Sequence, residues 1–179
     1  ITKEALEETA IHEIGHAFVR YKLFENPGII KITVNPEGTG TLGYVQYKTI
    51  KEGYVQKKST LLNRIKVSLA GMAAEEVFIG EFSNGNTSDL EKATWNARNM
   101  ITKYGMSSIG FGQLEKESGE MATKVQEEVN NILSQCYKET IELIKTNKQL
   151  MKKVVDYLLE HKEINEEQFL EILNKPQKK

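Results

Sequence analysis

A single cysteine, three histidines, two aspartates and no apolar run approaching the ~18 residues of a membrane-spanning helix are the scarcities of this 179-residue chain. Cys136 has no partner for an internal disulfide, and it continues a helical stripe of Val125, Val129, Ile132 and Leu133. It therefore reads as a small core residue in a chain compatible with a reducing compartment. With 24 basic and 25 acidic residues there is no single-sign field to draw nucleic acid or an anionic membrane, so neither is expected as a direct partner. No signal peptide, internal repeat or low-complexity block is present. No Gly-x-x-x-x-Gly-Lys-Ser/Thr phosphate loop occurs, so these residues alone have no means of using ATP. The length suits one globular domain, expected over residues 1–175, with the lysine-rich 176–179 as a disordered, solvated tail. A start at Ile1 without methionine suggests a domain cut from something longer.

Against that background one stretch is chemically loaded: His12-Glu13-Ile14-Gly15-His16. On a helix, residues four apart stand one above the other, about 6 Å along the axis, so both imidazoles can ligate one ion while the glutamate sits beside an open coordination position. The pattern is that of a zinc peptidase, with Glu13 as general base. Leu6, Ala10, Ile14, Ala17 and Tyr21 recur at helical spacing and predict a helix from about Thr2 to Leu23, with the two histidines off the centre of its apolar stripe. Gly15 costs a helix roughly 1 kcal/mol relative to alanine, which implies that something packs closely against it.

A catalytic zinc usually takes a third protein ligand. His161, the one remaining histidine, ends a probable helix and suits its C-terminus. Val19 and Lys22 occupy the positions where an extended three-histidine motif would need glycine and histidine. Two carboxylates then compete. Glu76 falls within the stripe Leu62, Ile65, Leu69, Met72 and Ala73 of a helix over about 57–79, where a buried charge needs a metal, a cation or a histidine N–H; Glu75 points toward solvent in that register. Asp89 follows a polar turn, Ser83 to Ser88, and opens a helix carried by Leu90, Ala93, Ala97, Met100 and Tyr104 to near Gly105. Ser88 and Glu91 resemble a capping box that leaves Asp89 free of capping duty. The residues alone favour Asp89 only slightly.

The expected fold is mainly α, a helical zinc-peptidase domain with a small β-hairpin beside the active site. Its strands run over Ile29–Val34 and Leu42–Tyr47, joined through a glycine-rich turn. An extended substrate is expected along Leu42, Gly43, Tyr44 and Val45, an ordinary two-stranded lid being the alternative. A mobile loop is expected over 49–56, and a flexible rim of the site over Ile109–Gly119. Helices are expected over 120–146, 148–161 and onward from Asn165, whose pairing with Gln168 is a capping box.

Several of these segments together resemble the proteolytic domain of the FtsH family of membrane-anchored AAA+ zinc proteases. His-Glu-Ile-Gly-His-Ala at 12–17 is similar to that family's His-Glu-Ala-Gly-His-Ala, and the segment from Leu69 to Glu76 resembles its Gly-Gly-Arg-Ala-Ala-Glu-Glu. Residues 84–90 resemble the Thr-Gly-Ala-x-Asn-Asp-Leu run, and 97–107 resemble Ala-Arg-x-Met-Val-x-x-Trp-Gly-Met-Ser. The resemblance implies His12, His16 and Asp89 as zinc ligands, Glu13 as catalytic base and Glu76 as a supporting carboxylate. It also implies an unfolded polypeptide as substrate, an AAA+ ATPase domain and membrane anchor upstream, a homohexamer, and a cytoplasmic position for this domain, the fragment itself being soluble. The chain departs from the pattern at Pro36-Glu37-Gly38-Thr39-Gly40, one residue longer and without the family's arginine, and at Met72, Ser88 and Tyr104; none of these removes a zinc-binding atom. The alternative is an inactive relative serving as an oligomerisation or substrate-docking module.

Overall fold

The computed structural model describes residues 1–35, 40–49, 55–114 and 118–175. Parts of four sequence expectations lie outside them: the departing 36–39 segment, the centre of the 49–56 loop, residues 115–117 of the predicted rim, and the 176–179 tail.

The chain opens with helix α1, Lys3–Leu23, whose first turn is closed by the Thr2 hydroxyl accepting from the Ala5 amide at 3.1 Å. Strands β1, Ile29–Val34, and β2, Gly43–Tyr47, form the expected hairpin, with Ile32 opposite Val45. Helix α2, Lys58–Ile79, ends on Gly80 in the left-handed conformation. A single 3-10 turn, Asn84–Asn86, then leads into α3, Thr87–Thr102. The last third is α4, Gly119–Thr146, α5, Lys148–His161, a short strand β3, Glu163–Asn165, and α6, Glu166–Asn174. The capping box expected at Asn165 and Gln168 is formed in both directions. His161 Nδ1 hydrogen-bonds to the Tyr157 carbonyl at 3.0 Å, as expected of a histidine closing a helix.

The fold is mainly α, with a small antiparallel sheet in the order β2-β1-β3. The third strand is an addition to the expected hairpin: Glu163–Asn165 pairs with Lys31–Thr33. β2 therefore stays at the edge, with its outer side unpaired among the described residues.

Two apolar clusters meet along α2. One joins α1, the sheet, α5 and α6 through Ile14, Phe18, Ile32, Leu158 and Phe169; the other joins α2, α3 and α4 through Ile65, Leu69, Ala97, Met100 and Val129. Cys136 is buried in the second, as the stripe predicts. Because α2 is covered by α1 on one side and by α3 and α4 on the other, its buried face is far wider than one stripe: every residue from Leu69 to Glu75 is buried. The face toward α1 is made of small residues. A Cβ on Gly15 would lie 2.7 Å from both the Ala70 carbonyl oxygen and the Ala74 Cβ, so the helix-disfavouring glycine is what lets the backbones approach. Among the described residues, no helix is long and apolar enough to cross a membrane.

Candidate metal centre

α1, α2 and α3 each bring a piece of the centre. The turn between His12 and His16 aligns their rings on the side of α1 that faces α2, and Gly71 of α2 lies directly beneath them. A Cβ there would come within 2.5 Å of His12 Cε1 and 2.6 Å of His16 Nε2. Asp89 enters from the first turn of α3, as its third residue, because the helix begins two residues earlier than a Ser88 cap would place it. Asn86 holds the cap position, its side chain turned to other partners, so the Ser88–Glu91 capping box expected from the sequence does not form.

The three groups converge. His12 Nε2 and His16 Nε2 are 3.0 Å apart, and Asp89 Oδ2 lies 3.2 Å from the first and 3.0 Å from the second. A tetrahedral ion with bonds of about 2.0–2.1 Å holds its donors roughly 3.3–3.4 Å apart, so this triangle matches a metal's face to within a few tenths of an ångström.

The other ring nitrogens fix what the triangle is made of. His16 Nδ1 is 2.7 Å from the Val67 carbonyl, which only accepts, so this nitrogen carries the proton. His12 Nδ1 donates likewise to Glu75 Oε2 at 3.1 Å. In the neutral histidines both Nε2 atoms then present lone pairs toward a carboxylate oxygen. Three lone pairs at such distances repel unless a positive charge lies among them, either a proton or a cation. Without a cation a proton takes that place: burial works to lower the His12 pKa, but the Asp89 and Glu75 carboxylates push it up to about 10. Burial likewise works against the Asp89 anion, and the two histidines hold its pKa well below the usual carboxylate range. The donor set of two imidazoles and a carboxylate suits zinc.

Glu75, not the expected Glu76, is the carboxylate of α2 that reaches the histidines. Glu75 is buried, bonds His12, and accepts from Asn86 Nδ2 at 2.7 Å and from the Ser83 hydroxyl and amide at 2.8 and 3.2 Å. Burial alone would raise its pKa, yet these donors hold it at about 2. Glu76 faces the other way and accepts from the Tyr137 hydroxyl of α4. The stripe that favoured Glu76 was drawn through bulky residues. The small residues Ala70, Gly71 and Ala74 mark the face toward the histidines, and Glu75 continues it; that spacing was the available signal.

Glu13 borders the centre, and burial raises its pKa against the lowering pull of His16 and His12. Gly43 packs on it: a Cβ there would be 3.3 Å from Glu13 Cγ. Tyr44 and Val45 line a cavity of about 820 Å³ that holds His12, Glu13, His16 and Asp89. Leu42 and Gly43 line a smaller one of about 360 Å³ that shares His12 and Glu13. The expected rim over 109–119 does not border this centre among the described residues; Ile109 and Leu114 pack into the α2–α3–α4 core instead.

Residues 1–172 match the family model described as peptidase family M41. The chain belongs to that family. Among its relatives, ATP-dependent zinc metalloprotease FtsH of Burkholderia pseudomallei is 31% identical over 183 residues, covering 92% of this chain and 28% of that protein. The protein of the same name from Thermotoga maritima is 32% identical over 182 residues, with 92% and 30% covered. FtsH 2 of Phytoplasma mali is 36% identical over 171 residues, with 92% and 25% covered. This M41 chain thus spans less than a third of the length of these relatives.

Proposed function

We propose that this M41 domain is a zinc-dependent endopeptidase that hydrolyses peptide bonds of unfolded or flexible polypeptides. His12, His16 and Asp89 hold the zinc, Glu13 is the catalytic base, and Glu75 orients His12. The observation that carries this reading is the triangle of Nε2, Nε2 and Oδ2 atoms, 3.0 to 3.2 Å apart, with both imidazole tautomers set by Glu75 and the Val67 carbonyl. Zinc bound there supplies Lewis acidity toward the scissile carbonyl and makes water a competent nucleophile near neutral pH.

The chain's own groups do the rest. The open edge of β2 offers unpaired backbone to an extended peptide, which lies in the cavity between β2 and α3 with its scissile bond above the ligands. Leu42, Gly43, Tyr44 and Val45 form that binding edge, and Gly43 keeps the strand close to Glu13. Glu13 removes a proton from the attacking water and delivers it to the leaving amine nitrogen. Its raised pKa brings it nearer the working pH, and such proton transfer is typically worth about 10² to 10⁴-fold.

The relatives' names and the short span matched support a longer protein around this domain. The resemblance of its motifs further implies an AAA+ ATPase domain and a membrane anchor before it, assembly as a homohexamer, and a cytoplasmic position for this domain. α4, α5 and α6 carry no chemistry of their own and serve as scaffold and subunit contacts.

Metal content measured together with cleavage of unfolded casein tests the assignment. Glu13→Gln is expected to keep stoichiometric zinc and lose hydrolysis, whereas His12, His16 or Asp89 to alanine loses the metal. Full activity in Glu13→Gln would remove the mechanism, and zinc binding with no cleavage by the unaltered protein would favour the docking-module alternative.

A further inference from the structure

Tyr47 ends β2 at the same cavity and has no part in the mechanism above. Along β2, Gly43, Val45 and Tyr47 alternate with the more exposed Tyr44 and Gln46, so Tyr47 faces inward toward α1. The strand runs beside α1 in a definite sense. Gly43 packs against Glu13 at one end, and at the other the Arg20 guanidinium lies 4.4 Å from the centre of the Tyr47 ring. Arg20 is one helical turn beyond His16. The base and Tyr47 therefore stand at opposite ends of the ligand cluster, with the cavity between them.

Two observations make the Tyr47 hydroxyl a candidate for chemistry rather than for packing. Among the described residues no protein group bonds it, and Tyr47 lines the cavity that holds the ligand cluster, so its hydroxyl is open to a molecule bound there. The ring is also held in place: Arg20 Nε donates to the Pro27 carbonyl at 2.6 Å, which fixes the cation over the ring.

We infer that Tyr47 is a further catalytic residue, whose hydroxyl donates a hydrogen bond to the scissile carbonyl oxygen as negative charge develops on it. The inference rests on the peptidase reading above. A peptide lying along β2, attacked by water from the Glu13 end, turns its carbonyl oxygen toward the far end of the cluster, where this donor lines the cavity. As the carbonyl carbon becomes tetrahedral, the hydroxyl keeps its proton and only shares it with the oxyanion. Burial, with the nearby Glu13 and Asp89 carboxylates, raises the phenol's pKa against the lowering effect of Arg20, so it remains a donor throughout the working range of the enzyme. A donor placed for the oxyanion and not for the ground-state carbonyl acts on turnover more than on binding.

The test compares the unaltered protein with Tyr47→Phe, which keeps the ring and the Arg20 contact. With a fluorogenic peptide, kcat should fall about 10²-fold while KM changes by less than about threefold. Affinity for a phosphinic peptide of the same sequence, which mimics the tetrahedral oxyanion, should fall by a comparable factor. Zinc content and thermal midpoint should be unchanged. A kcat within threefold of the unaltered protein overturns the inference, as does a rise in KM alone. If Tyr47→Phe loses metal or fold, a difluorotyrosine at 47 replaces it: its ionisation should bring a new alkaline loss of kcat, and an unaltered pH profile overturns the role. Failure of the peptidase reading is separate, because it appears as no turnover by the unaltered protein. In that event, equal phosphinic-peptide affinities with and without the hydroxyl still overturn the inference.

Discussion

Glu75 and Glu76 are adjacent glutamates with opposite fates, and the contrast shows how much a single residue's role depends on which neighbours its helix face meets. Glu75 shares the α1-facing side of α2 with Gly71, so its carboxylate reaches His12 Nδ1; Glu76, about 100° further round, meets Tyr137. A partner of this kind orients the ligand ring and raises its basicity, and losing it typically costs about 10 to 100-fold in metal affinity. Glu75→Gln is therefore expected to weaken zinc by that range in a competition titration against a chromophoric chelator. Glu76→Gln should leave affinity within about twofold, and equal losses in the two would show that Glu75 does not orient the histidine. At this scale the juxtaposition of His12, Glu13 and His16 was legible because their spacing within one helix states the geometry outright. The approach of Asp89 to them was legible only weakly and that of Glu75 not at all, because these contacts span 73 and 63 residues of sequence.

Between elements, the approach of α1 to α2 sets the site, and it is governed by residues that have almost no side chain. Gly15 on one helix meets Ala70 and Ala74 on the other, and Gly71 makes room for the imidazoles. Helix propensity alone says that Gly15→Ala stabilises by roughly 1 kcal/mol. The close contacts say otherwise: a Cβ 2.7 Å from a backbone carbonyl forces the helices apart, and such overpacking costs typically about 1–3 kcal/mol. Urea denaturation of the metal-free protein should therefore show Gly15→Ala to be less stable, and a more stable variant would mean that the interface yields freely. Sequence periodicity located α1, α2, α4 and α5 to within a residue or two because each is long. It missed β3, three residues with no hydrophobic period of their own, whose strand character exists only through pairing with β1. It also placed the start of α3 late, since the 3-10 turn before it is stabilised by Ser83 and Asn86 contacts to Glu75 on another helix.

For the whole molecule, the metal centre ties α1, α2 and α3 together, so its charge state enters the stability of the fold. Without metal, the positive charge among the lone pairs is the His12 proton, bound up to pH about 10 in the folded chain but only to about 6.5 once unfolded. A folded pKa raised in this way gives stability that is complete below pH about 6.5 and is lost progressively as the pH climbs toward 10. Glu75 and Asp89, whose pKa values are depressed, contribute in the opposite sense, with stability lost only in acid, so across this window their contribution is constant. Zinc bound at this triangle would take the place of the proton. The loaded protein therefore has no such alkaline loss from His12, and because one proton is displaced on loading, apparent zinc affinity should rise about tenfold per pH unit between about 7 and 9. The thermal midpoint of chelator-treated protein is thus expected to fall from pH 6.5 to 10 while that of zinc-loaded protein holds, the gap between them widening with pH. Parallel curves, or a gap that narrows, would mean that the imidazole pair and Asp89 do not share one positive charge; no gap at any pH would remove the metal assignment.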